Sequence, residues 1–267
     1  MSNTPSLWRA PRLSMRWLPV FRRHLLVWRK LLIPSLVGNI AEPLITLVAF
    51  GYGLGALVGQ VQLGGVAVPY ILFLASGSIC MSAMNAASFE ALYSAFSRMH
   101  VQKTWESLLN TPLDLDDIVL AEMLWAASKA MISGMAILGV LFLLGIGLHP
   151  TTLLVPPMLF LVGLTFASIA LVINAIARGY DFFTYYFTLM LTPMIFVSGV
   201  YYPVSQLPSW LQPLAQILPL GVAVQVVRPL LLGQLPVSAL PNIVILMAYC
   251  FFGFYLATVL TRRRLLK

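Results

Sequence analysis

The sequence predicts an all-α membrane protein: six transmembrane helices, both termini on the cytoplasmic side, an amphipathic interfacial helix before the first span, and short re-entrant helices between spans five and six. Three observations carry this reading. Of 267 residues, 60% are hydrophobic and only 9% charged, where a soluble domain carries about 25% charged residues. Six stretches each supply the roughly 20 mainly apolar residues that a crossing needs. The basic residues also fall on alternate connections, as they do on the cytoplasmic loops of membrane proteins. Arg9, Arg12, Arg16, Arg22, Arg23, Arg29 and Lys30 precede span one, Arg98 and Lys103 follow span two, Arg178 follows span four, and Arg262, Arg263, Arg264 and Lys267 close the chain. Arg228 alone falls on the other side, and Lys129 lies within a span. This asymmetry accounts for the net charge of +8 without nucleic acid. Cys80 and Cys250 fall inside apolar runs and read as free thiols rather than a bridge.

Residues 1–12 are polar and contain proline, and are expected to be loose. In residues 13–30, Trp17, Phe21, His24 and Trp28 share one face and Arg22, Arg23, Arg29 and Lys30 another, the pattern of a basic helix lying in a membrane surface. No compact apolar segment with a cleavage site follows, so the N-terminus does not read as a cleaved signal peptide. The chain divides into residues 1–30, the cytoplasmic N-terminus with its interfacial helix, and residues 31–267, the membrane domain. Its spans run at about 31–58, 68–94, 118–148, 153–177, 182–201 and 242–260. Span one starts at Leu31 or, if Gly38-Asn39 breaks it, at Asn39. Span two carries Ser76, Gly77, Ser78, Ser82, Asn85 and Ser88 among alanines, which suits close helix packing or a polar lining. Segment 216–232 is apolar enough to tempt a seventh crossing. A seventh would put Arg262–Arg264 outside, and Pro219, Gly221 and Pro229 interrupt it, so it reads as short helices on the outer face.

Two segments stand out. Residues 95–117 form the polar connection after span two. There Thr104-Trp105-Glu106-Ser107-Leu108-Leu109 suits a short helix after Lys103, with an exposed Trp and Leu pair acting as a docking peg. Asp114, Asp116 and Asp117 favour the start of the third helix, because carboxylates suit its positive end. In residues 189–220 the fifth helix, passing Met194 and Phe196, should break at Ser198-Gly199. Tyr201, Tyr202 and Pro203 follow, and an amphipathic piece ends at Leu218-Pro219. Broken backbone at membrane depth must be packed in protein or line a wet cavity. These residues are therefore candidates for the outer end of a pathway and its exit gate.

Catalytic chemistry finds little support. No phosphate-binding loop with its Gly-Lys pair is present, so the chain does not hydrolyse ATP by that route, and no cofactor is expected in it. His24, His100 and His149 are far apart and lack metal-ligand spacing to any cysteine. Ionisable residues inside a bilayer are functional by default, which singles out Glu42 and Lys129. Glu42 lies near the midplane if span one starts at Leu31, and at the cytoplasmic edge if it starts at Asn39; the edge is preferred. Lys129 reads as reaching back to the cytoplasmic face beside Glu122, the sharper alternative being a pathway wall.

The stretches TWESLLNTPLDLDDIVLAEMLWAASKA, TPMIFVSGVYYPVSQLP and ILPL resemble the ABC-2 type (type V exporter) ABC transporter permeases. The likeness is greatest to the lipo-oligosaccharide, nodulation-factor export branch (nodulation protein J type), and covers Trp17 to Arg264. The resemblance implies a homodimeric half-transporter in the bacterial inner membrane that binds two copies of a separate ATPase subunit, on which ATP and magnesium would sit. It implies that Lys103–Leu109 is the coupling helix, that the short helices of 204–232 cap the exit, and that the cargo is an amphipathic lipid-linked saccharide. A drug or small-molecule efflux permease of the same family is the alternative cargo reading. A channel or carrier working without an ATPase, and a membrane enzyme, are the readings from other classes. After Leu-Pro-Leu the family pattern has a histidine and an acidic residue where this chain has Gly221-Val222-Ala223-Val224-Gln225, which makes the outer face less polar.

Overall fold

An apolar run in lipid has no water to bond its backbone, so it closes its own hydrogen bonds as helix. The structure, a computed structural model, describes residues 8–63, 65–145, 147 and 149–265, with the backbone alone at residues 35, 36, 39, 40, 42 and 43. Helix α1 is Trp17–Arg29. Helix α2 starts as Leu32–Val48 and continues through a π-helical stretch, Ala49–Leu54, into a last turn, Gly55–Val58. Strands β1 (Gln60–Leu63) and β2 (Val66–Pro69) pair antiparallel, Val61 opposite Val68. Helix α3, Tyr70–Val101, carries π-helical stretches at Glu90–Ser94 and Ser97–Val101. Then come α4 (Thr104–Leu109), α5 (Leu115–Leu143) and α6 (Val155–Ile176). Helix α7, Asp181–Val197, is π-helical over Tyr186–Leu191. The chain closes with α8 (Gln212–Ile217), α9 (Pro219–Leu231) and α10 (Ala239–Leu265).

Among the described residues, four helices are long and apolar enough to cross a membrane: those of Tyr70–Val101, Leu115–Leu143, Pro150–Ile176 and Ala239–Leu265. The apolar parts of α2 and α7, Leu44–Val58 and Asp181–Val197, are shorter. Helices α10, α6, α5 and α3 pack in that order, and α9 lies across the start of α3. Their contacts are close because small residues meet. Ser82 and Ser133 hydroxyls bond at 2.8 Å between α3 and α5. In α3, Ser76, Gly77, Ser78, Ser82 and Ser88 are all buried, so most of the weakly polar face expected there serves packing. Both cysteines are free and buried.

The two ends of the bundle differ. One holds α1, α4, the start of α5 and the last turns of α3, α6 and α10. The other holds the β-hairpin, α8 and α9. At the first end the boundaries depart from the sequence expectation. Helix α3 runs on to Val101 where a loop from Ala95 was expected, because Arg98 turns inward to buried carboxylates. Helix α5 starts at Leu115, within the Asp114–Asp117 stretch expected to open it. Residues 8–12, expected to be loose, and residues 13–16, expected to begin the interfacial helix, form a strap instead. Arg12 and Ser14 donate backbone N–H bonds to Asp116 and Asp117 at 2.8 and 3.0 Å, and Arg16 Nη1 donates to the Pro112 carbonyl at 2.6 Å. The arginines after span six are helical as well, Arg262 buried and Arg263 and Arg264 half-buried. Arg262, 3% exposed, pairs with Asp116. Arg264 donates to the Asn174 and Ala175 carbonyls at 3.0 and 3.1 Å, a cation at a helix C-terminus, where the backbone dipole favours it.

Candidate functional site

The first site lies under α4. Glu122, Trp125 and Lys129 are spaced three and four residues apart on α5, so helical geometry puts them on one face. Glu90 and Arg98 reach toward them from α3. Arg98 Nε donates to Glu122 Oε1 at 2.9 Å, and its Nη2 bridges Glu122 Oε2 at 2.5 Å and Glu90 Oε1 at 2.9 Å. Lys129 Nζ donates to Glu90 Oε2 at 2.8 Å. Two carboxylates thus face two cations, which is how charge survives burial. Lys129 meets Glu90 on the neighbouring helix, rather than reaching back beside Glu122.

Two indoles complete the cluster. Trp125 Nε1 donates to Glu90 Oε1 and Trp105 Nε1 to Glu122 Oε1, each at 3.1 Å. Trp105 is 2% exposed, so it is the root of α4 and not a peg for another protein. Thr104, Leu108 and Leu109 are half-buried, while Lys103, Glu106 and Ser107 face out. Lys103 enters α4 with φ +51°, the left-handed conformation that breaks the chain from α3. Helix α1 closes the site from the side. Its Phe21, His24 and Trp28 stack or edge onto Trp125, with ring centroids at 5.9, 6.0 and 6.0 Å. The aromatic face of α1 therefore packs on protein, and its exposed apolar face is Leu18, Leu25, Leu26 and Val27. His24 Nε2 stands 3.5 Å from Glu122 Oε1 without hydrogen-bond geometry. Burial holds its pKa below the ordinary histidine value, outweighing the carboxylates. A cavity of about 200 Å³ opens among Arg23, His24, Glu90, Arg98, Trp125 and Lys129.

The second site is at the other end. Helix α7 ends at Val197, and Gly199 turns the chain at φ +73°. A Cβ there would stand 2.8 Å from Val204 Cγ2. The chain then crosses α3 so closely that a Cβ on Gly77 would stand 2.8 Å from Val200 Cα. Tyr201 lands between three helices. Its ring meets Phe50 of α2 and Phe196 of α7 at 5.9 and 5.8 Å, and its hydroxyl lies 3.7 Å from Met81 Sδ on α3. Met194, Ser198, Gly199, Pro203 and Pro219 are buried, while Tyr202 and Leu218 are half-buried. Leu218 is the joint of α8 and α9, and the start of α9 lies against Ser198.

Of the residues singled out in the sequence, the structure brings Trp105 and Lys129 into one cluster, and Phe196, Ser198, Gly199 and Tyr201 to the other end. Glu42 lies on the backbone of α2, and its side chain is outside the described residues. Glu90, Arg98, Trp125 and Phe50 went unnoticed as site residues. The 122/125/129 spacing was the available signal for the first cluster; Phe50 had none.

A family profile described as ABC-2 type transporter matches residues 20–232. The chain is 43% identical to nodulation protein J of Sinorhizobium fredii (strain NGR234) over 257 residues, 96% of this chain and 97% of that one. It is 45% identical to nodulation protein J of Rhizobium leguminosarum bv. trifolii over 254 residues, 95% of each. Over 206 residues, 76% of each chain, it is 24% identical to the inner membrane transport permease YadH of Escherichia coli.

Proposed function

Because the chain belongs to the ABC-2 type transporter family, on its nodulation protein J branch, we propose that it is the membrane half of an ATP-driven exporter. In this reading six helices, α2, α3, α5, α6, α7 and α10, cross the bacterial inner membrane with both termini in the cytoplasm. Two copies pair and carry two copies of a separate ATPase subunit, which holds ATP and magnesium. The cargo is an amphipathic lipid-linked saccharide, passing outward beside the broken end of α7.

One observation supports this above the others: the Trp105–Glu122 bond. Helix α4 offers Lys103, Glu106 and Ser107 to a partner while its indole is fixed to the carboxylate that also holds Arg98 of α3. A push on α4 is therefore delivered to α3 and α5 together, and packed helices shift as discrete bodies. Glu106→Arg and Trp105→Ala, made in the permease co-expressed with its ATPase, test this. Both are expected to lower substrate-stimulated ATP hydrolysis and export while the permease still reaches the membrane. Full coupled activity in both, or uphill flux with no ATPase present, sinks the proposal.

A further inference from the structure

At the end of the bundle opposite Trp105, α9 carries one cation, Arg228, 9% exposed. Its Nε donates to Ser76 Oγ at 2.8 Å and its Nη2 to the Gly199 carbonyl at 2.7 Å and, longer, to the Phe73 carbonyl at 3.4 Å. The guanidinium carbon lies 3.8 Å over the Phe73 ring. All these partners are neutral. Among the described residues no carboxylate pairs with it, and the sequence has no Asp or Glu after Asp181. The Nη1 amino group donates no hydrogen bond to any described residue. A buried, uncompensated charge is costly; Arg98, Lys129 and the buried Arg262 each have a carboxylate.

Arg228 also lines a cavity of about 580 Å³, within the usual range of small-molecule sites. The rest of its wall comes from the β-hairpin, the 203–205 turn, α8, α9 and the 234–238 loop; it is mostly apolar and carries four amides, Gln62, Gln216, Gln225 and Gln234, and the hydroxyls of Ser205 and Ser238. Amides and hydroxyls bond polar groups of either sense without adding charge. One cation among neutral polar groups selects for a single negative charge, and a guanidinium suits planar or tetrahedral oxyanions through paired donors.

We propose that this cavity is an oxyanion site, in which Arg228 Nη1 holds a phosphate, sulfate or carboxylate group and the glutamines hold a hydroxyl-rich body attached to it. Two sources share that chemistry: the head group of a lipid in the adjacent leaflet, or an acidic substituent on the transported molecule. The site does not depend on the export reading, and binding is measured with no ATPase present.

The test is ³¹P line broadening with the purified chain in a phosphorus-free detergent at fixed ionic strength. Three probes are titrated: inorganic phosphate, glucose 6-phosphate and dihexanoyl phosphatidylglycerol. Arg228→Gln removes the charge but also the tie to Gly199. Gln225→Glu leaves Arg228 and its three partners in place and sets a carboxylate one turn away on the same helix, to occupy the guanidinium in place of a ligand. At least one probe should bind the wild type, and both variants should weaken it about tenfold or more. Tightest binding by glucose 6-phosphate assigns the site to cargo, and by the lipid to the leaflet. No binding by any probe, or binding unchanged in Gln225→Glu, overturns the proposal.

Discussion

Glu122 accepts from Arg98 and Trp105 and stands beside His24. Glu122→Gln keeps its shape but leaves Arg98 with Glu90 alone, and breaking a buried pair costs about 3–5 kcal/mol. The expected outcome is a lower Tm and faster proteolysis within 102–112, both read on the purified chain. His24 sets a pH dependence. Burial lowers its pKa against the pull of Glu122 and Glu90, with Arg98 and Arg23 adding to the lowering. The unfolded chain therefore takes up the proton first, and the packing of α1 weakens as pH falls below the ordinary histidine value of 6.5. Tm is expected to drop between pH 7.5 and 5.5 for the wild type, and to drop less for His24→Gln.

At the scale of elements, the contact between α3 and the segment after α7 is set by Gly77. Gly77→Ala would force Cβ into the Val200 backbone, and such overpacking costs about 1–3 kcal/mol. Gly139→Ala on α5, where a Cβ meets nothing within 4 Å, is the control and should be neutral or slightly stabilising. Limited proteolysis at 198–207 distinguishes them, with faster cutting expected in Gly77→Ala alone. The break itself was legible, because Ser198-Gly199 and the prolines around it are local signals. The seat of Trp105 was not. An indole beside Glu106 and Lys103 reads as surface from its neighbours, and its partner Glu122 lies on another helix.

For the whole molecule, hydropathy summed over about 20 residues places most of the long helices within a few residues. Partners across helices carry no such sum: Lys129 and Glu90 are 39 residues apart, and nothing local joins them. The strap and the buried seat of Arg262 were unreadable for the same reason, since Asp116 binds Arg12 and Arg262 from the two ends of the chain. Asp116→Asn should free both, leaving Arg262 buried without its charge partner, at about 3–5 kcal/mol. New cleavage at residues 8–16 together with a lowered Tm would show it. Cleavage unchanged from wild type would mean the other bonds of the strap suffice. The π-helical stretches of α2, α3 and α7 have one more consequence. Each holds a spare residue in a widened turn. Expelling it would swivel the helix beyond by about 100° and draw it along by about 1.5 Å. All three helices touch Tyr201, and the two π-helical stretches of α3 hold Glu90 and Arg98. Torque applied at one membrane face would therefore arrive at the other as rotation, as along a crankshaft, with no helix having to melt.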